Sequence, residues 1–478
     1  MRELLSIYSP RLATYLVYML QNVEYEVNPY LAWFWRTKDF NTVMYRRTLE
    51  RTKAAKTLVA IIRLGIVLQL VAGAYVVYNG YSDQSTSQVL KGLIIILSYP
   101  VVWAHLITLP LLLGRALIIK PRHKRLVAKS TKIFKDHPAV VIAVAGSYGK
   151  TTVKELLLTI LAEGKQVAAT PANKNVAVSH ARFAHKLTGN EDILVIEYGE
   201  GQPGDVAKFA KTTRPDIGVI TGLAPAHLDK YKTLESAAKD IMSLASFVKP
   251  EALYVNADSE PLHPYIKDEY TSYTSKSVAG WKVSDIQLEV DGTSFKMQKG
   301  KRKLALQTKL VGRHLIGPVA LCVAIAADMG LTDQQITDGV AKTEPFEHRM
   351  QPRLLAGGWI IDDTYNGNLE GIRAGLGLLS DLTAKRKVYV TPGLVDQGKE
   401  SNRVHEEVGV LIAQANPNKV VLMKNSATES IKKGLKTSNY DGELIVEDDP
   451  LNFYSNLDQF IAVGDVVLMQ NDWTDNYN

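Results

Sequence analysis

The stretch Ala139-Val-Val-Ile-Ala-Val-Ala-Gly-Ser-Tyr-Gly-Lys-Thr-Thr152 decides the fold of the central part of the chain. Its first seven residues are apolar and rich in β-branched side chains, as a buried parallel strand requires. A glycine turn follows, and residues 153–162 continue as a helical pattern. A strand, a glycine turn and a helix in this order predict an α/β domain built on a parallel sheet.

The same turn predicts a phosphate-binding loop, because backbone N–H groups and the N-terminus of a helix attract anions. We expect the Lys150 ammonium to neutralise the β- and γ-phosphates of a nucleotide and the Thr151 hydroxyl to bind Mg²⁺. The loop has two residues between its glycines where the common pattern has four, so a purely structural turn is the alternative. The other predicted nucleotide contacts are Gly146, Ser147, Gly149 and Thr152.

Length and composition bound the class of protein. A chain of 478 residues predicts about three domains, and a hydrophobic fraction of 46% excludes a disordered chain. The single cysteine, Cys322, excludes a disulfide framework and a cysteine-based zinc cluster. Residues 1–135 hold 19 Lys and Arg against 6 Asp and Glu, whereas the remainder holds 37 against 43. The basic excess therefore lies outside the α/β body, and we expect no nucleic-acid partner.

The basic N-terminal part also contains two long apolar runs. Residues 64–82 and 92–114 carry no charge and, as helices, are about 28 and 35 Å long, enough to cross a bilayer core of about 30 Å. Pro100 and Pro110 are expected to kink the second helix. Two buried core helices are the alternative interpretation.

Charges around these runs predict their orientation. Lys and Arg flank both outer ends, whereas residues 79–88 contain neither. By the positive-inside rule, this predicts a two-helix transmembrane hairpin, with helices at about 57–79 and 92–117, whose ends and catalytic domains face the cytoplasm. We therefore predict a membrane partner and a helical membrane-anchoring region at residues 1–135.

Further motifs follow in order up to about residue 470. They are Thr170-Pro-Ala-Asn-Lys-Asn175, Ile196-Glu-Tyr-Gly199, Val219-Ile-Thr-Gly-Leu-Ala-Pro-Ala-His-Leu228, His348-Arg-Met350 and Ile360-Ile-Asp-Asp-Thr-Tyr-Asn-Gly-Asn368. With the short phosphate loop, the set resembles the Mur ligases, the ATP-dependent amide ligases of peptidoglycan precursor synthesis. The last motif is similar to the signature of the ligases that add D-alanyl-D-alanine.

This resemblance implies roles for individual residues. Glu197 and His227 would hold Mg²⁺ together with Thr151, and would serve catalysis together with Lys150. The implied ATP contacts of the C-terminal domain are Arg349, on the nucleotide, and Asp363, on the ribose. The implied substrate contacts are Asn173, Asn175, Tyr365, Asn366 and Asn368. Structural roles stay open: a solvated strand-end carboxylate for Glu197, a turn histidine for His227, and capping acids for Asp362 and Asp363.

Four features depart from the family pattern. Leu315 and Pro318 stand where the family has adenine-side asparagines, and Gly222 replaces the asparagine before the magnesium histidine. Ile241 stands where the family has a lysine that is typically carbamylated, so we predict activity without a carbamate. A recognisable α/β domain for the UDP-sugar precursor is missing, and the apolar hairpin takes its place.

The predicted architecture is a helical region at 1–135, a central ATP-binding domain with a parallel sheet at 136–348, and a smaller Rossmann-like α/β domain at 349–478. The predicted function is an ATP- and Mg²⁺-dependent amide ligase that adds D-alanyl-D-alanine, or a similar short peptide, to a nucleotide- or lipid-linked muramyl peptide through an acyl phosphate. Two alternatives stay open. One is a ligase that extends another polymer, such as a polyglutamyl chain, and the other is a membrane scaffold that binds ATP without catalysis.

Overall fold

The computed structural model describes residues 5–23, 25–40, 43, 49–171, 174–224, 228–365, 367–395, 397 and 400–471. Its contacts divide the chain into two compact units, Met1–Arg125 and Leu126–Asn478. The division falls within the helix Lys120–Asp136, ten residues before the boundary predicted from the sequence. Each unit is described by itself.

The first unit is helical. Its helices are α1 (Leu12–Asn22), α2 (Val27–Arg36), α3 (Lys53–Ser82), α4 (Thr86–Leu97), α5 (Tyr99–Leu106) and α6 (Thr108–Gly114), followed by a π-helical turn (Arg115–Ile119). The next helix, α7 (Lys120–Asp136), begins in this unit and ends in the second. The hydroxyls of Thr52 and Ser85 cap the first turns of α3 and α4. The turn between α3 and α4 is therefore short, as a helical hairpin requires.

Glycines bring α3 and α4 into close contact. A Cβ atom on Gly73 would lie 2.6 Å from Ile96, and one on Gly80 would lie 2.7 Å from the backbone of Val89. The Gln69 side chain donates a hydrogen bond to the Ile95 carbonyl at 2.8 Å. Small residues that let backbones approach and a polar side chain that bonds across are the contacts that hold helices together in lipid.

The second apolar run is broken where the prolines were expected to act. Its helix is interrupted at Ser98 and Ile107, and Pro100 and Pro110 lie in the first turns of α5 and α6. The breaks thus lie next to the two prolines that were expected to kink the helix. Much of the apolar surface of both runs is exposed, including Leu68 at 61% and Ile94 at 65%. The alternative of two core helices buried within the chain therefore does not describe this unit.

The second unit contains two sheets. The central sheet has the strand order β10-β9-β8-β7-β6-β5-β4-β1-β3-β2, parallel from β2 to β6 and antiparallel beyond. Its strands are β1 (Val140–Ala145), β2 (Val167–Ala169), β3 (Ile193–Glu197), β4 (Ile217–Ile220), β5 (Leu253–Asn256), β6 (Thr271–Tyr273), β7 (Ser277–Val278), β8 (Trp281–Glu289), β9 (Gly292–Lys299) and β10 (Arg302–Thr308).

Helices cover both faces of this sheet and bury two apolar clusters against it. They are α8 (Lys150–Leu161), α9 (Ala177–Ala184), α10 (Asp205–Thr213), α11 (Leu228–Tyr231), α12 (Leu234–Met242), α13 (Ile316–Asp328) and α14 (Asp333–Ala341). Cys322 lies fully buried on α13. The carboxyl ends of the parallel strands meet at one edge, where ligands bind in open α/β sheets.

The C-terminal sheet has the order β11-β12-β16-β13-β14-β15, in which only β11 is antiparallel. Its strands are β11 (Gln351–Leu355), β12 (Gly358–Asp363), β13 (Arg386–Thr391), β14 (Lys419–Met423), β15 (Glu443–Glu447) and β16 (Asp465–Gln470). Its helices are α15 (Leu369–Asp381), α16 (Ser401–Ala415), α17 (Thr428–Thr437), α18 (Pro450–Ser455) and α19 (Leu457–Phe460).

Two contacts join the central and C-terminal parts of this unit. Val311 is buried within the apolar cluster of the C-terminal sheet. Arg313 donates to the Asp381 carboxylate at 2.8 Å. The two parts therefore pack against each other beside the start of α13.

Candidate active site

The phosphate loop begins where β1 ends. Gly146 has a φ of 145°, and a Cβ atom there would lie 2.3 Å from the Thr221 hydroxyl. Gly149 has a φ of 75° and stands at the N-cap of α8, where no side chain caps the first turn. Both glycines are therefore required by the backbone. The free N–H groups of the first turn of α8, which holds Thr151 and Thr152, are available to an anion.

Lys150 is held inside this loop. Its ammonium donates to the Gly146 carbonyl at 2.5 Å and to the Glu200 carboxylate at 2.7 Å. Both side chains of the ion pair are largely buried, at 12% and 5% exposed. The sequence interpretation placed Lys150 here but missed Glu200, whose position three residues after Glu197 in the same strand-end loop was the available signal.

Glu197 ends β3 beside β1 and is almost fully buried. Its Oε1 atom accepts a hydrogen bond from the Asn175 side chain at 3.1 Å, and its backbone N–H donates to Thr170 at 3.1 Å. Its Oε2 atom lies 3.6 Å from the ammonium of Lys154, a fully buried lysine one turn after Lys150. Glu197 is thus not a solvated loop carboxylate, and the structure places Asn175, a predicted substrate contact, on Glu197.

Two buried polar atoms suit a nucleotide with Mg²⁺. Among the described residues, none donates a hydrogen bond to Oε2 of Glu197, and Oγ of Ser147 in the phosphate loop has no hydrogen-bond partner. A buried carboxylate oxygen that accepts no hydrogen bond fits a hard cation, which takes few protein carboxylates and keeps several waters. Across the described part of the chain, no cluster of three or more His, Cys, Asp or Glu residues forms a metal site. Two further predictions, His227 as a metal ligand and Asn173 as a substrate contact, lie outside the described residues.

Tyr148 explains one departure from the family pattern. Its ring packs over Gly222, where a Cβ atom would lie 2.3 Å from Cζ of the ring. Its hydroxyl donates to Ser259 at 3.2 Å. Burial raises the pKa of the Tyr148 phenol, and the nearby carboxylate of Glu370 on α15 adds to the rise. An asparagine at position 222 and a tyrosine at position 148 would compete for the same space.

The structure also explains Ile241, which stands at the position of the family's carbamylated lysine. Ile241 is fully buried in the apolar core. Lys239 points to the surface, 69% exposed, and pairs with Glu235 at 2.7 Å. The two residues therefore lie on different faces of α12, as their separation of about 200° around the helix requires.

At the C-terminal sheet, β12 ends in Asp363. Its carboxylate accepts hydrogen bonds from the Gln470 side chain at 2.7 Å and the Met350 N–H at 3.2 Å. Burial raises the pKa of Asp363 to about 6 despite these bonds. The Arg349 guanidinium stacks on the Tyr365 ring at 4.4 Å. Three predicted contacts, Arg349, Asp363 and Tyr365, therefore lie on neighbouring segments.

Other candidate residues have structural roles. The Asp362 carboxylate accepts from Thr364 at 2.7 Å and lies 3.0 Å from a ring nitrogen of His348. Asn368, a predicted substrate contact, caps α15 by accepting from the Gly371 N–H at 2.8 Å. The capping interpretation thus holds for Asp362, whereas the cap that Asn368 forms was not predicted. Asn366 lies outside the described residues.

Three features of this site belong together. They are a glycine loop that presents a lysine and a helix N-terminus, a buried carboxylate at the end of the neighbouring strand, and an acid with an arginine at the second sheet. Together they define a nucleotide-binding enzyme of the phosphate-loop type. A family model matches part of this region. Residues 144–326 match the model of the Mur ligase middle domain. Over these residues, the resemblance predicted from the motifs is confirmed.

Curated relatives extend the match. The UDP-N-acetylmuramoyl-tripeptide--D-alanyl-D-alanine ligase of Buchnera aphidicola is 26% identical over 331 residues, which cover 66% of this chain and 72% of that one. The enzyme of the same name from Escherichia coli is 28% identical over 291 residues, or 59% of this chain and 64% of that one. The two alignments leave 34% and 41% of this chain unmatched, and 28% and 36% of the relatives.

Solved structures share the fold. MurF from Acinetobacter baumannii superposes with a TM-score of 0.63 at 19% identity, over 73% of this chain and 77% of that one. MurF ligase from Thermotoga maritima in complex with ADP superposes with a TM-score of 0.62 at 22% identity, over 73% of this chain and 80% of that one. The predicted α/β fold of the central and C-terminal parts is confirmed.

Proposed function

We propose that this protein is an ATP- and Mg²⁺-dependent amide ligase that joins D-alanyl-D-alanine, or a similar short peptide, to the carboxylate of a muramyl peptide. The observation that supports it most is the phosphate loop of a Mur ligase middle domain, with Lys150 at its centre and the buried carboxylate of Glu197 beside it. The names of the similar ligases supply the substrate class.

The reaction has two steps. A carboxylate oxygen of the acceptor attacks the γ-phosphorus of ATP, and the bond to ADP breaks. The amine of the incoming peptide then attacks the acyl carbon, the C–O bond to phosphate breaks, and the amine loses a proton. Both steps need positioning and charge neutralisation more than covalent help.

The chain supplies these needs from its own residues. Lys150 and the N-terminal N–H groups of α8, which meet at the phosphate loop, would stabilise the charge that develops on the phosphate. Glu197, with the hydroxyl of Thr151, would hold Mg²⁺, which neutralises phosphate charge when bound. Asp363 and Arg349 on the C-terminal part would bind the ribose and the nucleotide.

We further propose that the first unit anchors the protein in the cell membrane, with its catalytic domains facing the cytoplasm. Two helical segments are long and apolar enough to cross a bilayer, Lys53–Ser82 and Tyr99–Asp136, and only 22% and 17% of their most apolar windows are buried. Exposed apolar surface of this extent needs a cover. The flanking Lys and Arg favour the cytoplasmic orientation. An anchored enzyme could use a nucleotide-linked or a lipid-linked acceptor.

The full chain in detergent micelles, supplied with Mg-ATP, tests the activity. Phosphate release is measured with nucleotide-linked and lipid-linked muramyl peptides, each with D-alanyl-D-alanine or with glutamate. We expect release only with a muramyl acceptor and the dipeptide, loss of it in Lys150→Ala, and no change in Lys211→Ala, an exposed lysine of α10. Glutamate-dependent release would support the polymer-extending alternative. ATP binding without turnover under any condition would support the scaffold.

A further inference from the structure

Glu200 holds the lysine that the proposed function needs for phosphate. Its Oε2 atom lies 2.7 Å from the Lys150 ammonium, and its side chain is 5% exposed. A bound β- or γ-phosphate would compete with Glu200 for the same ammonium. The exchange would leave a buried carboxylate without its counter-ion, next to the negative charge of the phosphate, which is costly.

Neighbouring charges do not relieve this cost. The nearest described ammonium along α8 is that of Lys154, which already lies 3.0 Å from Glu155 and 3.6 Å from Glu197. Two further carboxylates lie beside the segment that follows Glu200. Asp240 accepts a hydrogen bond from the Gly204 N–H at 2.8 Å, and a Cβ atom on Gly201 would lie 3.2 Å from the Asp205 carboxylate. Asp240 also accepts from the Tyr231 phenol at 2.7 Å, and burial, together with these carboxylates, raises the pKa of that phenol.

The surroundings of Glu200 are therefore rich in carboxylates, and a phosphate adds to their negative charge. A bound cation would compensate both the phosphate and the released carboxylate. The buried Oε2 of Glu197, three residues earlier in the chain, has no hydrogen-bond donor among the described residues and lies 3.6 Å from the Lys154 ammonium; it is a second oxygen of the same kind. Carboxylates and phosphate oxygens are the ligands that Mg²⁺ prefers.

We propose that Glu200 couples nucleotide binding to divalent-cation binding: the phosphates take Lys150, and the released Glu200 carboxylate becomes a ligand of the cation. This inference rests on the proposed use of a nucleotide. Glu200 then opposes nucleotide without metal and favours nucleotide with metal, whereas a merely structural ion pair would affect both alike.

Equilibrium binding of ADP to the full chain in detergent micelles, with Mg²⁺ or with EDTA, tests this coupling. The measured quantity is the ratio of the two dissociation constants, metal-free over metal-bound. We expect Glu200→Gln, which keeps the size of the side chain and removes its charge, to lower this ratio at least about tenfold, chiefly through tighter metal-free binding. Glu235→Gln on the exposed face of α12 is the matched control and should keep the wild-type ratio.

Electron paramagnetic resonance with Mn²⁺ gives a second readout that does not depend on turnover. In the presence of ADP, Glu200→Gln should bind Mn²⁺ at least about tenfold more weakly than the wild type. An unchanged ratio of ADP dissociation constants, or an equal loss of both affinities, would overturn the role of Glu200 while leaving nucleotide use intact. Absence of ADP binding by the wild-type chain would instead overturn the proposed function itself, and with it this inference.

Discussion

Replacement of Gly222 by alanine is expected to destabilise the second unit through a clash with Tyr148. The backbone of Gly222 lies outside the positive-φ region, so alanine carries no backbone strain there. Its Cβ atom would lie 2.3 Å from Cζ and 2.6 Å from the hydroxyl oxygen of Tyr148, whereas ordinary contacts begin at 3.4 Å. The tyrosine ring must therefore retreat by about an ångström, which breaks its hydrogen bond to Ser259.

The size of the effect follows from these contacts. Overpacking of this kind costs about 1–3 kcal/mol, and loss of the hydrogen bond costs about 1 kcal/mol more. We therefore expect Gly222→Ala to lower the free energy of unfolding by about 2–4 kcal/mol. In a Tyr148→Ala background the added methyl meets empty space, and the same change should cost no more than about 0.5 kcal/mol. The coupling energy between the two positions is then at least about 1.5 kcal/mol.

Urea unfolding measures this coupling. It is carried out on the wild type, the two single variants and the double variant, and the four free energies are compared at the same m-value. Gly377→Ala on α15 is the control, because a Cβ atom there has no neighbour within 4 Å, and it should be neutral or slightly stabilising. Additive costs in the double variant would refute the claim that Tyr148 occupies the space above Gly222.

Three further predictions follow from the same structure. Activity should be unchanged when bicarbonate is removed, and unchanged in Lys239→Ala, because Lys239 is exposed and paired with Glu235. Activity that depends on bicarbonate and is lost in Lys239→Ala would contradict this prediction. ADP affinity should fall about fivefold as the pH drops from 7 to 5, because the raised pKa of Asp363, about 6, makes its carboxylate neutral below that pH. The Asp363→Asn variant carries no titrating group at this position, so its ADP affinity reports the pH dependence of the nucleotide alone. After that dependence is subtracted, the fivefold fall should be seen in the wild type and not in Asp363→Asn. Impermeant maleimide should label Ser85→Cys from outside the cell and Lys129→Cys only after lysis, with the native Cys322 silent because it is fully buried; the reverse pattern would refute the orientation.

Much of the fold was predictable because local chemistry determined it. The run Ala139–Ala145 is short, apolar and rich in β-branched residues, as a buried strand requires, and it contains β1. The apolar runs at 387–391, 419–423 and 464–469 likewise lie within one residue of β13, β14 and β16. The proline breaks in the second apolar run were predictable for the same reason. The antiparallel extension formed by β8, β9 and β10 carries no comparable motif and was not predicted.

The site was predictable where a motif fixes the backbone and less so where partners come from distant segments. Gly146, Gly149 and Lys150 follow from the loop itself. The pairing of Glu200 with Lys150 and the burial of Lys154 against Glu197 depend on how β1 and β3 align, which spacing alone does not give. Asn368 was expected to bind substrate, but its position before α15 also fits a helix cap, and the structure shows the cap.

The transfer of oxygen from the acceptor to phosphate tests the central claim most directly. A muramyl peptide labelled with ¹⁸O in its carboxylate is incubated with the full chain, Mg-ATP and D-alanyl-D-alanine, and the phosphate released is analysed by mass spectrometry. An acyl phosphate requires one labelled oxygen in each phosphate, formed with one amide product and one ADP. Unlabelled phosphate released in step with the amide product would contradict the mechanism, and ATP hydrolysis without product would contradict the assignment as a ligase.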